Sequence, residues 1–129
     1  GLASSSSCQW VEGHIVRLGL RRFFDAVQAK DDVDRTKPDQ ELYSLTVEIL
    51  GVDPSQAIAF EDSPNGILAA KRAGLFCVAV PNSLTSLTDT SQADLTVSSL
   101  TEIPLEALIK RIEQLKDYQT NTAGTQKSP

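Results

Sequence analysis

Short apolar runs alternate with longer stretches of helical period along most of the chain, and this alternation limits the possible folds more than any other feature. The runs lie near Gly1 to Ala3, Ala26 to Gln28, Ala57 to Phe60, Phe76 to Val80 and Leu95 to Val97. Strands this short, separated by helices, predict an α/β fold in which parallel strands are joined by crossover helices. The first helix is expected from about Cys8 to Leu18, with Val11, Ile15 and Leu18 at helical spacing and Gly19 as its stop. The second is expected to open at Pro38 and to end at Gly51, and the third to span Pro64 to Ala73 before Gly74. A fourth, from about Pro104 to Tyr118, lines up Leu105, Leu108, Ile109, Ile112 and Leu115 on one face. Beyond it, residues 119–129 are polar and without apolar period, which predicts a disordered tail after one domain over residues 1–118.

Composition narrows the class of partner. The 129 residues, 40% apolar and 22% charged, suit a single globular domain. Twelve basic against 17 acidic residues give a net charge of -5, with no basic run to meet a phosphate backbone. Nucleic-acid binding is therefore not expected, and a small molecule is the expected partner. Cys8 and Cys77 show neither metal nor redox spacing and read as free thiols of a reducing compartment. No apolar stretch approaches the roughly 18 to 20 residues of a membrane span, and no basic-then-apolar signal segment is visible, so a cytoplasmic location is expected. The absence of Met, with a start inside a small-residue run, points to a piece of a longer protein.

Three polar features stand just beyond predicted strand ends, where open α/β sheets bind ligands. After "GLA", the hydroxyls and N–H groups of Ser4 and Ser5 read either as a linker or helix cap, or as a phosphate cradle near a positive helix terminus. In "TKPDQELY", Lys37 sits where a helix dipole opposes its charge; it reads as a solvated loop lysine or as a phosphate ligand. In "AIAFEDSPNGI", Glu61 and Asp62 crowd their charges at a strand end, an arrangement suited to a hard cation such as Mg²⁺. Asp62 or Ser63 before Pro64 also makes a good helix cap, although capping does not need both acids.

Taken together, "LASSS", "KPDQELY" and "FEDSPNGI", in this order and at these separations, resemble the second, third and fourth motifs of the haloacid dehalogenase-like superfamily. The resemblance is narrower to its β-phosphoglucomutase-like phosphatase and mutase branch, and it extends to about Val97 through "KRAGLFCVAVPN". It implies a Rossmann-like core in which Ser4 and the N–H of Ser5 bind the transferring phosphoryl group. It also implies that Lys37 steadies the phosphoryl oxygens and that Glu61 and Asp62 hold Mg²⁺, Asp62 the more direct ligand. The acidic pair disfavours halide release, which needs no Mg²⁺.

One part of the family pattern is missing. No Asp-x-Asp-Gly follows an apolar strand; the nearest acidic cluster, "KDDVDR", comes after the serine motif. In the family that nucleophile strand and a cap precede the serine motif, and the strand lies between those ending at Ser4 and Glu61. Its loss should leave a gap in the ladder. The expectation is thus part of a phosphatase or phosphomutase acting on a small phosphorylated metabolite, a sugar phosphate foremost, through an aspartyl-phosphate. The chain alone is expected to be inactive, with the strand supplied by an upstream segment or a second chain, or with this piece packed in a rearranged way. A non-catalytic remnant binding phosphate or a protein partner is the alternative, and a receiver-like phosphoacceptor a weaker one. His14 reads as a surface residue ahead of an acid or base, and Trp10, which the resemblance implies to lie near the mouth of the site, as a packing residue ahead of one that recognises substrate.

Overall fold

Both sheets in the computed structural model, which describes residues 1–124 and side chains through Asp117, are wholly parallel. Strand β1 (Leu2–Ala3) pairs with β2 (Val27–Gln28), Leu2 opposite Val27. Strand β3 (Ile58–Glu61) pairs with β4 (Phe76–Ala79), Glu61 opposite Ala79, and β4 pairs in turn with β5 (Leu95–Thr96). All five strands fall within two residues of the apolar runs that predict them. Among the described residues β1 and β3 share no pairing, so the gap expected between the strand before Ser4 and the strand before Glu61 is present as two separate sheets.

Helix packing holds the two sheets together within one compact unit, Gly1–Val97. Helix α2 (Glu41–Leu50) packs on β1 and β2 and also on helix α3 (Pro64–Arg72), which covers β3 and β4. The shared core joins Tyr43 and Val47 of α2, Ile67 and Ala70 of α3, and Ala59, Cys77 and Ala79 of the sheet. Ile67 is wholly buried, a burial that stabilises the fold by about 1.5–3 kcal/mol. Burial also pushes the Cys77 thiol up to about 12, helped by the nearby charges of Glu61 and Asp94. Asp94 accepts from Lys71 at 2.6 Å and from the Cys77 N–H at 2.7 Å, fastening the approach to β5 against α3 and β4.

Helix α1 (Cys8–Arg17) is capped by Ser7, whose hydroxyl accepts from the Trp10 N–H at 3.4 Å. The Cys8 N–H is taken by Asp31 at 2.5 Å, and Asp32 accepts from the Ala29 N–H at 2.8 Å, so the acidic cluster "KDDVDR" caps local structure. Helix α2 differs from expectation: it opens at Glu41, because residues 36–40 form a turn in which the Asp39 N–H donates to Thr36 O. The Asp39 carboxylate then accepts from the Glu41 N–H at 3.1 Å, which fixes the start of the helix there. It ends as expected at Gly51, whose φ of 66° suits a residue without a Cβ.

The second unit starts at Ser98 and contains helix α4 (Leu105–Gly124). This helix passes the expected stop at Tyr118, so residues 119–124 of the expected tail are helical. Their polar residues are compatible with a helix already nucleated by the apolar stripe upstream, since propagation costs far less than nucleation. Residues 125–129 lie outside the described residues. No helix among the described residues is long and apolar enough to cross a membrane.

Candidate active site

The C-terminal ends of β1 and β3 open onto one cleft of about 350 Å³, and it is lined by Ser4, Ser5, Lys37, Glu61 and Asp62. The five residues singled out from three separate sequence segments therefore meet in a single place. Asn65 and Gly66, on the first turn of α3, complete the wall.

Ser4 leaves β1 with its N–H bonded to Gln28 O at 2.9 Å. Its Oγ accepts from the Ser6 N–H at 3.1 Å, which leaves the hydroxyl proton to donate to a ligand oxygen. At the start of α1 the Cys8 N–H is taken by Asp31 and the Trp10 N–H by Ser7, while the Ser4 N–H before it is taken by Gln28 O.

Lys37 stands four positions before α2 rather than against its first turn, and its placement follows from partners elsewhere. The Lys37 ammonium donates to Glu61 Oε1 and lies 4.8 Å from the centre of the Tyr43 ring. Arg72 holds the turn from the other side, donating to Pro38 O at 2.9 Å. Glu61 is the centre of this group. Its side chain is 7% exposed, and Oε1 receives both Lys37 and the Tyr43 hydroxyl. Burial, then the Glu61 charge, pushes the Tyr43 hydroxyl far above its usual value, so it remains a donor. The rest of the carboxylate lies against Gly66, where a Cβ would stand 1.8 Å from Oε2; the backbone of α3 comes this close only because residue 66 has no side chain.

Asp62, one residue on, is exposed to the cleft. Its Oδ2 accepts from Asn82 Nδ2 at 2.7 Å, while Ser63 caps α3 by accepting from the Gly66 N–H at 3.3 Å. Mg²⁺ is commonly held by one or two carboxylates, several waters and a substrate phosphate. An exposed Asp62 that lines the cleft, with Oδ2 bonded to Asn82, fits that demand. Glu61 supplies the neighbouring negative charge, with Oε1 already engaged. No third acid, histidine or cysteine joins them among the described residues.

Tyr43 and Asn82 were not singled out from sequence, although both lie inside the quoted segments "KPDQELY" and "KRAGLFCVAVPN". Trp10 and His14 stand apart from the lining. The Trp10 ring stacks on that of His14 at 3.9 Å, and Trp10 remains 55% exposed.

A family model described as haloacid dehalogenase-like hydrolase matches residues 1–80. The chain is 46% identical over 112 residues to YhcW of Bacillus subtilis (strain 168), covering 87% of this chain and 51% of that protein. It is 44% identical over 106 residues to validoxylamine A 7'-phosphate phosphatase of Streptomyces hygroscopicus subsp. limoneus, covering 80% of this chain and 48% of the other. Among solved structures, CbbY of Rhodobacter sphaeroides with bound phosphate superposes with a TM-score of 0.73 at 37% identity, over 78% of this chain and 46% of the other. A CbbY variant with xylulose-(1,5)bisphosphate gives 0.77 at 36%, over 82% and 49%. The chain spans about half the length of the curated relatives it matches.

Proposed function

The chain belongs to the haloacid dehalogenase-like hydrolase family, and from that membership we propose that it forms the phosphate- and metal-binding part of a Mg²⁺-dependent phosphatase. The substrates proposed are small phosphorylated metabolites, sugar phosphates foremost. The observation that carries the reading is the meeting of Ser4, Ser5, Lys37, Glu61 and Asp62 in one cleft at parallel strand ends. The named relatives support the substrate class, since one is a phosphatase of a phosphate ester and another is solved with phosphate and with a sugar bisphosphate.

Phosphoryl transfer is mostly positioning and charge stabilisation. In the proposed site the Ser4 hydroxyl and Ser5 N–H donate to phosphoryl oxygens, and the Lys37 ammonium, held by Glu61 and the face of Tyr43, offsets their charge. Asp62, beside Glu61, would hold Mg²⁺, which when bound offsets phosphoryl charge. The nucleophile is a carboxylate on a strand entering between β1 and β3, from an upstream segment or a second chain. Its oxygen bonds to phosphorus as the P–O ester bond breaks and the leaving oxygen takes a proton from solvent; water then attacks phosphorus, releasing phosphate and restoring the carboxylate.

The test is hydrolysis of p-nitrophenyl phosphate, with and without Mg²⁺, by this chain and by a form extended upstream. The expected result is Mg²⁺-dependent turnover only by the extended form, lost in Asp62→Asn. Turnover by the 129-residue chain alone would overturn the part-enzyme reading. Phosphate binding without turnover in the extended form would favour a binding remnant.

A further inference from the structure

We propose that Asn82 is the positioning residue of Asp62: held by the turn that follows β4, its amide fixes which carboxylate oxygen Asp62 turns to the cleft. The proposal rests on the reading of Asp62 as the metal-holding acid. Asn82 Oδ1 accepts from the Leu84 N–H at 2.8 Å and from the Thr85 N–H at 3.1 Å. The Asn82 N–H donates to Thr85 Oγ1 at 3.0 Å, and its carbonyl accepts from the Ser86 N–H at 2.8 Å. An amide whose oxygen is engaged by two backbone donors can offer only its NH₂ elsewhere, so the network itself fixes the orientation. That NH₂ donates to Asp62 Oδ2 at 2.7 Å, a bond strengthened by the carboxylate charge.

The strand register explains why this residue reaches Asp62. Glu61 is opposite Ala79, so the residues that follow the ends of β3 and β4 leave the sheet side by side. The two adjacent acids are then held by different partners: Glu61 by Lys37 and Tyr43, Asp62 by Asn82. With Oδ2 engaged, Oδ1 is the oxygen left for a cation. Loss of such an outer partner commonly weakens metal binding about 10- to 100-fold.

Asn82→Asp separates this role from turn formation. The new carboxylate still accepts from the Leu84 and Thr85 N–H groups and has the same size, but it has no donor for Asp62. Asn82→Ala removes both functions. In ¹H–¹⁵N NMR spectra of the metal-free 129-residue chain, Asp62→Ala is expected to move the Asn82 side-chain NH₂ pair and to leave the Leu84 and Thr85 amides in place. An NH₂ pair indifferent to Asp62→Ala overturns the proposal. In a titration with Mg²⁺ alone, followed at the Asp62 and Ser63 amides, the half-saturating concentration is expected to rise at least about tenfold in Asn82→Asp. A purely structural Asn82 predicts that only Asn82→Ala weakens binding, so an unchanged or lower value in Asn82→Asp also overturns the proposal. If the wild-type chain gives no Mg²⁺ response, the metal reading of Asp62 fails, and the metal-free comparison alone decides whether Asn82 positions it.

Discussion

Replacing Gly66 with alanine would put a Cβ 1.8 Å from Glu61 Oε2 and 2.1 Å from its Cδ. The carboxylate is the end of a flexible side chain, yet it is buried and held by two donors, so it can yield only by leaving Lys37 or Tyr43. Gly66→Ala should therefore cost about 1–3 kcal/mol, read from urea midpoints. Tyr43→Phe keeps the ring over Lys37 and removes one donor from a buried carboxylate, a loss of about 1–3 kcal/mol. The two losses should fall short of additive, because the first substitution already displaces the group that the second leaves unpaired; strict additivity would show that Gly66 and Tyr43 act on Glu61 independently. Cys77 offers a separate check. Wholly buried and held protonated, it should resist alkylation at pH 8 in the native chain while exposed Cys8 reacts. Below the usual thiol value of 9.0 folded and unfolded chains both carry the proton, so Cys77 gives no pH dependence there. Between 9.0 and about 12 only the unfolded chain releases it, and this group should lower stability as pH rises.

At the scale of elements, the first turn of α1 depends on a carboxylate 23 residues away. Asp31→Ala should destabilise the chain by roughly 0.5–1 kcal/mol in urea unfolding, with part of the loss absent at high salt, where the dipole is screened. No loss at either salt concentration would show that the Cys8 N–H is satisfied as well by water. That contact also marks the limit of what the sequence discloses. Strand positions were legible because each strand is a short apolar run, and the ends of α1, α2 and α3 because Gly19, Gly51 and Gly74 follow them. The start of α2 was misplaced because Pro38 suits a helix start by propensity, whereas Asp39 and Thr36 commit the chain to a turn first. The far end of α4 was missed because apolar period reports what a helix buries rather than how far its backbone continues. Ser4, Lys37, Glu61 and Asp62 could be named because their motifs are local. The Tyr43 bond to Glu61 and the Asn82 bond to Asp62 cross between elements, and no spacing along the chain encodes them.

At the scale of the whole molecule, β1 and β3 each have a side that no described strand pairs. Leu2 N–H bonds to Ala26 O and Ser4 N–H to Gln28 O, so alternation turns the Ala3 backbone away from β2. On the other side, Phe76 N–H meets Ala57 O and Val80 N–H meets Glu61 O, which turns the backbone of Ile58 and Phe60 away from β4. Phe60, on this edge strand, is also 42% exposed. A parallel strand entering between β1 and β3 would satisfy both edges and bring its C-terminal residue to the cleft lined by Ser4 and Asp62. Hydrogen exchange should then be fast at the Ala3, Ile58 and Phe60 amides of this chain and slow at Val78, which pairs inside the sheet and is wholly buried. In a form extended upstream, the three edge amides should become protected together and the urea midpoint should rise. Protection of the edge amides already in the 129-residue chain would mean that the two sheets close on each other without a further strand, and the nucleophile would then have to reach the cleft by another route.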